Sequence, residues 1–472
     1  MDRHTTPHSK FQRHKEAAAE RAGRKDATVG FAAICFAYFA IILDGSVLNV
    51  AIPSIRNSLN GSMAEAQWVL NGYTLALAAL LLTGGVMGDR IGLRRSLLWG
   101  TAVFTLASAA CAVAPTVELL IVARVVQGIG AAALLPATLA LVPHLFTEPT
   151  ERSRATIVWV ATGGIAVAVG PLVGGLLIDA LGWRSVFLIN VPVGIISMAL
   201  VLWRVTAPPP HVSRIDHAGQ LAAAAALALL TAGLILGGSA GWSSPATIGL
   251  LLGGIAAGAG FWVVECHSTH PMLPPAFVKN QIRSTALASA ALMGFLFYGT
   301  LFVMSLYFQD VRLWPAGQAG VALIPLTVGT CIGPLILYRP LANRFGHRVM
   351  LLAGFCCCLL GVLALGRAQP STSYPTLAVG LFLVGIASTI AFSALTSLLL
   401  SNIADHQSGL ASGAQNTTRQ TGALIAVSIL GSVLNAPDMA ARVWPAFAVL
   451  AGANLVAILM SAAALRARQP AG

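Results

Sequence analysis

Stretches of about twenty mostly apolar residues recur along nearly the whole of this chain, parted only by short polar punctuation, and few folds can absorb such a pattern. Twenty helical residues match the hydrocarbon thickness of a bilayer, whereas a soluble domain needs charged faces that this chain lacks. Its 472 residues are 57% hydrophobic and 9% charged, against about 25% charged in an average soluble domain. The sequence therefore reads as an all-α polytopic membrane protein, with the lipid bilayer as its solvent and no stretch left over for a soluble catalytic domain.

Fourteen spans are expected, at roughly 29–54, 68–88, 96–115, 117–141, 155–178, 185–204, 218–237, 246–266, 284–308, 318–338, 349–366, 376–400, 408–434 and 444–465. An even number puts both termini on one side. The distribution of Lys and Arg tests that count, because one helix too many or too few would scramble it. With the termini cytoplasmic, inner segments and helix ends carry 21 basic residues and outer segments five (Arg56, Arg184, Arg312, Arg367 and Arg442), while Arg124 and Arg419 fall inside spans. Seven of the inner ones precede the first span, in a polar segment without aromatic interleaving, so the formal charge of +12 reports topology and not nucleic acid. Residues 1–28 read as a cytoplasmic basic tail without regular structure, too long and too basic for a cleaved signal. The seven cysteines lack metal-ligand spacing and read as packing residues.

An internal repeat organises the spans. GGVMGDRIGLRRSLL (84–98) aligns without gaps on YRPLANRFGHRVMLL (338–352), pairing Arg90 with Arg344, Gly92 with Gly346 and Arg94 with Arg348. Eight helices separate the copies. That spacing gives two six-helix halves, 29–204 and 284–466, around an inserted pair in 205–283, with a short tail at 467–472. The Pro-rich stretches VTAPPPHVSRIDHAG and HSTHPMLPPAFVKNQIR bracket the inserted pair as cytoplasmic linkers. Parallel six-helix repeats are a transporter architecture, with the binding site between halves near the midplane.

Ionisable side chains inside a bilayer cost at least about 2.5 kcal/mol each and are functional candidates by default. Asp44, Arg124 and Arg419 stand out. Asp44 and Arg124 both lie roughly 11–15 Å from the outer ends of their spans at 1.5 Å per residue, so they can pair directly or through water. Desolvation favours the neutral form of a carboxylate and a nearby guanidinium the charged form, so a modest helix movement would switch it: a proton-coupling device. A static ion pair that fixes packing is the alternative, and it weighs more for Arg419.

Asp89, in GDRIGLRR, closes its helix where the dipole is already negative. Its partner is expected among the basic residues of the same loop or at the N-terminus of the thirteenth helix near Ser408, where it would latch the halves on the inner side. Gly170, Pro171, Gly174 and Gly175 fall within six residues of AVAVGPLVGGLL, which suits close packing or a bend that moves between states.

Together these segments resemble the major facilitator superfamily, and within it the fourteen-helix drug:proton antiporters of the EmrB/QacA type, from about residue 29 to 466. LDGSVLNVAIP (43–53) is similar to the first-helix signature LDxTxVNVAxP, with Ser46 in place of Thr. GGVMGDRIGLRR resembles motif A, carried by Gly85, Asp89, Arg90, Gly92 and Arg94; ARVVQGIGAA resembles motif B, with Arg124. GPLVGG resembles motif C of antiporters, with Ala166 where a glycine usually precedes it, and GWRSVFLINVPVG, RIDHAG and NTTRQTG are typical of the same branch.

The resemblance implies a major facilitator fold with two six-helix halves plus two inserted helices. It implies a proton-coupled efflux antiporter for small amphiphilic drugs or antibiotics, working by alternating access with Asp44 and Arg124 as the coupling site. Protons are the coupling ion; no other cofactor, no metal and no nucleic acid is expected. The expected protein is a functional monomer in the bacterial plasma membrane. Substrate is expected among helices 1, 2, 4, 5, 9, 10, 12 and 13, where Asn49, Tyr73, Gln127, Trp159, Tyr298, Gln309 and Arg419 are the polar and aromatic candidates. Relatives that export dications carry an extra acid in the tenth helix, absent from LIPLTVGTCIGPLIL, so neutral, zwitterionic, weakly anionic or singly cationic amphiphiles are expected.

Other classes fit less well. No GxxxxGK[ST] supports an ATP-driven pump, and no HExxH or GxSxG supports an intramembrane enzyme. Repeated halves with one buried acid suit alternating access better than a channel filter. A proton-coupled transporter of another substrate class, a metabolite exporter or an importer, is the remaining alternative.

Overall fold

The computed structural model describes residues 7–205, 216–403 and 407–466. The terminal segments 1–6 and 467–472 and the linker stretch 206–215, with its Arg214, lie outside the described residues, as does 404–406. Among the described residues every regular element is helical. In chain order the helices are α1 (Ala27–Ser58), α2 (Met63–Ile91), α3 (Leu93–Val113), α4 (Val117–Leu145), α5 (Pro149–Leu181), α6 (Ser185–Arg204), α7 (His217–Ala240), α8 (Pro245–His267), α9 (Gln281–Val311), α10 (Ala316–Ile332), α11 (Ile336–Gly366), α12 (Tyr374–Leu400), α13 (Ser408–Leu434) and α14 (Met439–Ala463).

Twelve of these are long and apolar enough to cross a membrane, two fewer than the sequence suggested. The shortfall has two physical causes. α10 is interrupted at Leu323 and gives way to a wider π-type turn at Gly333–Tyr338, because Pro325 and Pro334 withhold backbone donors. α13 is a continuous 27-residue helix, but its middle carries the polar run Gln415 to Thr421, which dilutes its hydropathy. The described part of the basic tail also differs from expectation: the backbone is helical from Pro7 into α1, through a stretch rich in Ala, Glu and Arg, which favour helix.

The repeat is visible in the backbone. Gly92, between α2 and α3, has φ +95°, and its aligned partner Gly346, within α11, has φ +82°, a region where a side chain would be strained. Ends of α1 and α9 meet as well: Arg56 Nη2 donates to Asp310 Oδ2 at 3.0 Å, and these two residues stand 254 positions apart, the offset of the basic loops. Equivalent positions touch one another where a pseudo-twofold axis passes.

The residues around Arg56 and Asp310 mark the far end of the bundle, and the start of α1 marks the near end. Direct bonds between α1–α6 and α9–α14 collect toward the far end. Gln67 Nε2 donates to the Val427 and Ser428 carbonyls at 2.9 Å, and Asn71 Nδ2 to Ser428 Oγ at 2.9 Å. Ser305 Oγ donates to the Asn49 carbonyl at 2.8 Å, and the Gly317 N–H donates to Asp179 Oδ2 at 2.8 Å. The inserted helix α7 spans the seam from outside. Its Gln220 donates to the Ala79 carbonyl of α2 at 2.9 Å, while Ser432 of α13 donates to its Leu234 carbonyl at 2.7 Å. Asp216 caps α7, accepting from the Gly219 N–H at 2.8 Å, and buried Glu265 at the end of α8 accepts from the Leu273 N–H at 2.9 Å, anchoring the linker that follows.

Candidate functional site

Asp44 and Arg124 meet. They are 3% and 1% exposed, and Arg124 Nη1 donates to Asp44 Oδ2 at 2.5 Å. The other carboxylate oxygen accepts from Gln127 Nε2 at 2.9 Å and from Asn190 Nδ2 at 2.8 Å. Arg124 Nη1 also donates to Gln127 Oε1 at 2.6 Å, and its Nε to the Val69 carbonyl at 3.1 Å. Gln127 donates in addition to Ser108 Oγ at 2.8 Å. The guanidinium carbon lies 4.3 Å from the Tyr73 ring centroid.

Helical geometry explains the convergence. Arg124 and Gln127 are three residues apart on α4 and so share a face, which α4 turns toward α1. Five helices meet at the charge: α1 supplies the acid, α4 the guanidinium and an amide, α6 a second amide, α3 a hydroxyl, and α2 a carbonyl and a ring. A buried carboxylate needs its lone pairs filled, and this one accepts from Arg124, Gln127 and Asn190 together. Removing the charge of either partner would leave the other uncompensated in a buried site, which is costly. The pair and its amides therefore tie α1, α4 and α6 together.

Four of the seven residues expected to line a substrate cavity are occupied in other roles. Tyr73 and Gln127 belong to the shell of the ion pair. Asn49 bonds back to the Gly45 carbonyl at 3.1 Å in the α1–α9 seam, where Gln309 donates to the Val50 carbonyl at 3.0 Å. Trp159, Tyr298 and Arg419 remain, each partly exposed between the halves. Trp159 stacks on Tyr38 with centroids 3.9 Å apart, and Arg419 Nη1 donates to the Tyr298 hydroxyl at 3.2 Å. Sequence reasoning missed Asn190 and Ser108 in the ion-pair shell and Tyr38 in the cleft. Asn190 had a signal: a single amide within the apolar run of GWRSVFLINVPVG.

The glycines of motif C are contact points. A Cβ on Gly170 would stand 1.9 Å from Ser46 Oγ, two residues from Asp44, and one on Gly174 would stand 2.7 Å from Val47 Cγ1. On the neighbouring face, about 100° around the helix, a Cβ on Gly175 would stand 2.4 Å from the Ala316 carbonyl of α10, and Gly320 approaches the Pro171 carbonyl as closely. α5 thus wedges between the acid-bearing helix and the other half. In motif A the close-packed glycine is Gly84, whose Cβ would fall 2.0 Å from the Ala132 carbonyl, whereas Gly85 has room. Arg94 Nη2 donates to the Leu202 carbonyl at 2.9 Å, a cation at the negative end of α6. Asp89 and Arg90 are exposed at the near end of α2.

Comparison with known proteins decides the family, since the model of the Major Facilitator Superfamily matches residues 34–427. The chain belongs to the Major Facilitator Superfamily. As a superfamily member it is a membrane transporter and not an enzyme. It is 34% identical over 434 residues to the methylenomycin A resistance protein of Bacillus subtilis, covering 91% of this chain and 90% of that one. It is 34% identical over 400 residues to the multidrug resistance protein Stp of Mycobacterium tuberculosis, covering 84% of this chain and 74% of that one. An auto-inhibited POT family peptide transporter superposes with a TM-score of 0.66 at 17% identity, over 94% of this chain and 97% of that one, which speaks to the fold alone.

Proposed function

We propose that this superfamily member is a proton-coupled efflux antiporter for small amphiphilic drugs or antibiotics, with Asp44 as its proton-binding acid. The observation that carries the reading is the buried cluster in which one carboxylate holds Arg124, Gln127 and Asn190. The resistance and export functions named for relatives that match most of the chain supply the direction and the class of cargo.

In this reading a proton reaching Asp44 releases Arg124 and loosens α1 against α4 and α6. Asn190 serves both states: its Nδ2 donates to the carboxylate, and its buried, unpartnered Oδ1 accepts the carboxyl proton after the amide turns over. Gly170 and Gly175 carry that movement through α5 to α10. The far end, stitched by Arg56–Asp310 and Asp179–Gly317, is the outer face in its closed state. The near end, with the start of α1 and the end of α14, is cytoplasmic, and Asp89 latches it when the far end opens. We count α10 and α13 as membrane spans, giving fourteen in the EmrB/QacA arrangement, because both pack within the bundle and contribute interface residues at Gly320 and Ser428. The working unit is a monomer.

The test is accumulation of amphiphilic antibiotics in inverted vesicles with and without a pH gradient, for wild type and Asp44→Asn at matched insertion. Gradient-driven accumulation is expected in wild type and lost in the variant. Equal driven accumulation in both would overturn the assignment of Asp44.

A further inference from the structure

Within the described apolar spans, the sequence's three intramembrane charges are two guanidiniums and one carboxylate, Arg124, Arg419 and Asp44. Arg124 has Asp44 at 2.5 Å. Arg419, on α13, donates from Nη1 to the Tyr298 hydroxyl at 3.2 Å and from Nη2 to Asn416 Oδ1 at 3.3 Å, both neutral groups, and its Nε is buried without an acceptor. Among the described residues no carboxylate pairs with it. Aromatic rings surround the charge: its central carbon lies 5.8 Å from the Tyr298 centroid and 5.7 Å from that of Phe392. Across the cleft stands the Tyr38–Trp159 stack, and Tyr38 is within electrostatic reach of both Arg419 and Tyr298. This platform is built in place: Trp159 Nε1 donates to Thr138 Oγ1 at 3.3 Å, and a Cβ on Gly163 would stand 2.5 Å from the Tyr38 hydroxyl oxygen.

A cation with neutral partners in a poorly solvated cleft is electrostatically incomplete, and the group that completes it is an anion. The same charge disfavours an ammonium ligand at that depth. We infer that this site takes amphiphilic organic anions, carboxylates with a planar or aromatic body, with the carboxylate on Arg419 and the ring against Tyr38, Trp159 and Phe392. The inference rests on the efflux reading and narrows it from amphiphiles in general to those with an acidic group.

The experiment measures equilibrium binding of three probes of one shape to the detergent-solubilised full chain: 2-naphthoate, 2-naphthamide and 2-naphthylmethylammonium. Wild type is expected to bind naphthoate about tenfold or more tighter than the amide, the usual advantage of a charge-assisted bond, and the ammonium weakest. Arg419→Gln is expected to erase the preference for naphthoate while leaving the amide unchanged, and Arg419→Lys to keep part of it. A wild type that binds amide or ammonium as tightly as naphthoate overturns the inference even where the variant fails to fold. So does an Arg419→Gln protein that keeps the preference. Gradient-driven antibiotic transport by wild type, measured in parallel, separates the two claims: transport with no anion preference sinks this inference alone, and no driven transport of any compound sinks the efflux reading.

Discussion

Asp44 and Arg124 are coupled closely enough in this geometry that removing both should cost clearly less than the sum of removing each alone. Asp44→Asn strips the charge facing a guanidinium that is 1% exposed, and breaking a buried pair in this way costs about 3–5 kcal/mol. Arg124→Gln leaves the carboxylate with the amides of Gln127 and Asn190 as donors, so its cost should fall toward the lower end of that range. The double variant buries two amides and no charge, and the two costs should fail to add by about 1–3 kcal/mol, as expected for residues in one network. The assay is a double-mutant cycle on reversible unfolding in mixed micelles, with insertion verified for all four proteins. Single variants within about 0.5 kcal/mol of wild type, or costs that add within the usual error for independent sites, would refute the claim that the cluster is one coupled unit.

Four further outcomes follow from particular contacts. Asn190→Ala removes one donor from the carboxylate and should lower stability by about 1–3 kcal/mol, read from the same unfolding curves, while Asn190→Leu should slow driven transport at unchanged insertion. Gly175→Ala drives a Cβ toward the Ala316 carbonyl and should cost about 1–3 kcal/mol and slow turnover more than it weakens binding. Asp310→Ala breaks a partly exposed pair worth at most about 1 kcal/mol, yet it should raise the reactivity of a cysteine placed at Asn49 toward a reagent entering from the far end. Asp216→Ala removes the cap of α7 and should cost about 1 kcal/mol, read as a lower unfolding midpoint. Burial works against the Asp216 charge, but donation from the Gly219 and Ala218 N–H groups and from Ser268 outweighs it and holds the carboxyl below its ordinary value. Its contribution should therefore be complete at neutral pH and fade as the pH falls below about 4.

The most legible features in the sequence were those that violate the solvent. Asp44 and Arg124 stand out because charge in an apolar run has no cheap explanation, and the same logic flagged Arg419. The repeat was legible because Gly92 and Gly346 must hold a positive φ, which few other residues tolerate. Amides were harder. Asn190, Gln127 and Asn49 look alike in sequence, and only packing tells a shell residue from a cleft residue, so Gln127 and Tyr73 were expected to face substrate when they face Arg124. The span count of fourteen was read too high for a related reason: α13 carries a polar run toward α9 and α10 is broken by its prolines, so these two stretches lack the continuous apolar length of the other twelve.

Proton release on substrate binding tests the central claim most directly. Transported amphiphile is added to the solubilised, weakly buffered protein near the pH at which driven transport is half-maximal, and protons are counted with a pH indicator. Antiport through Asp44 predicts release in wild type and none from Asp44→Asn at saturating ligand. Equal release from both proteins, or none from wild type while it binds, would contradict the account.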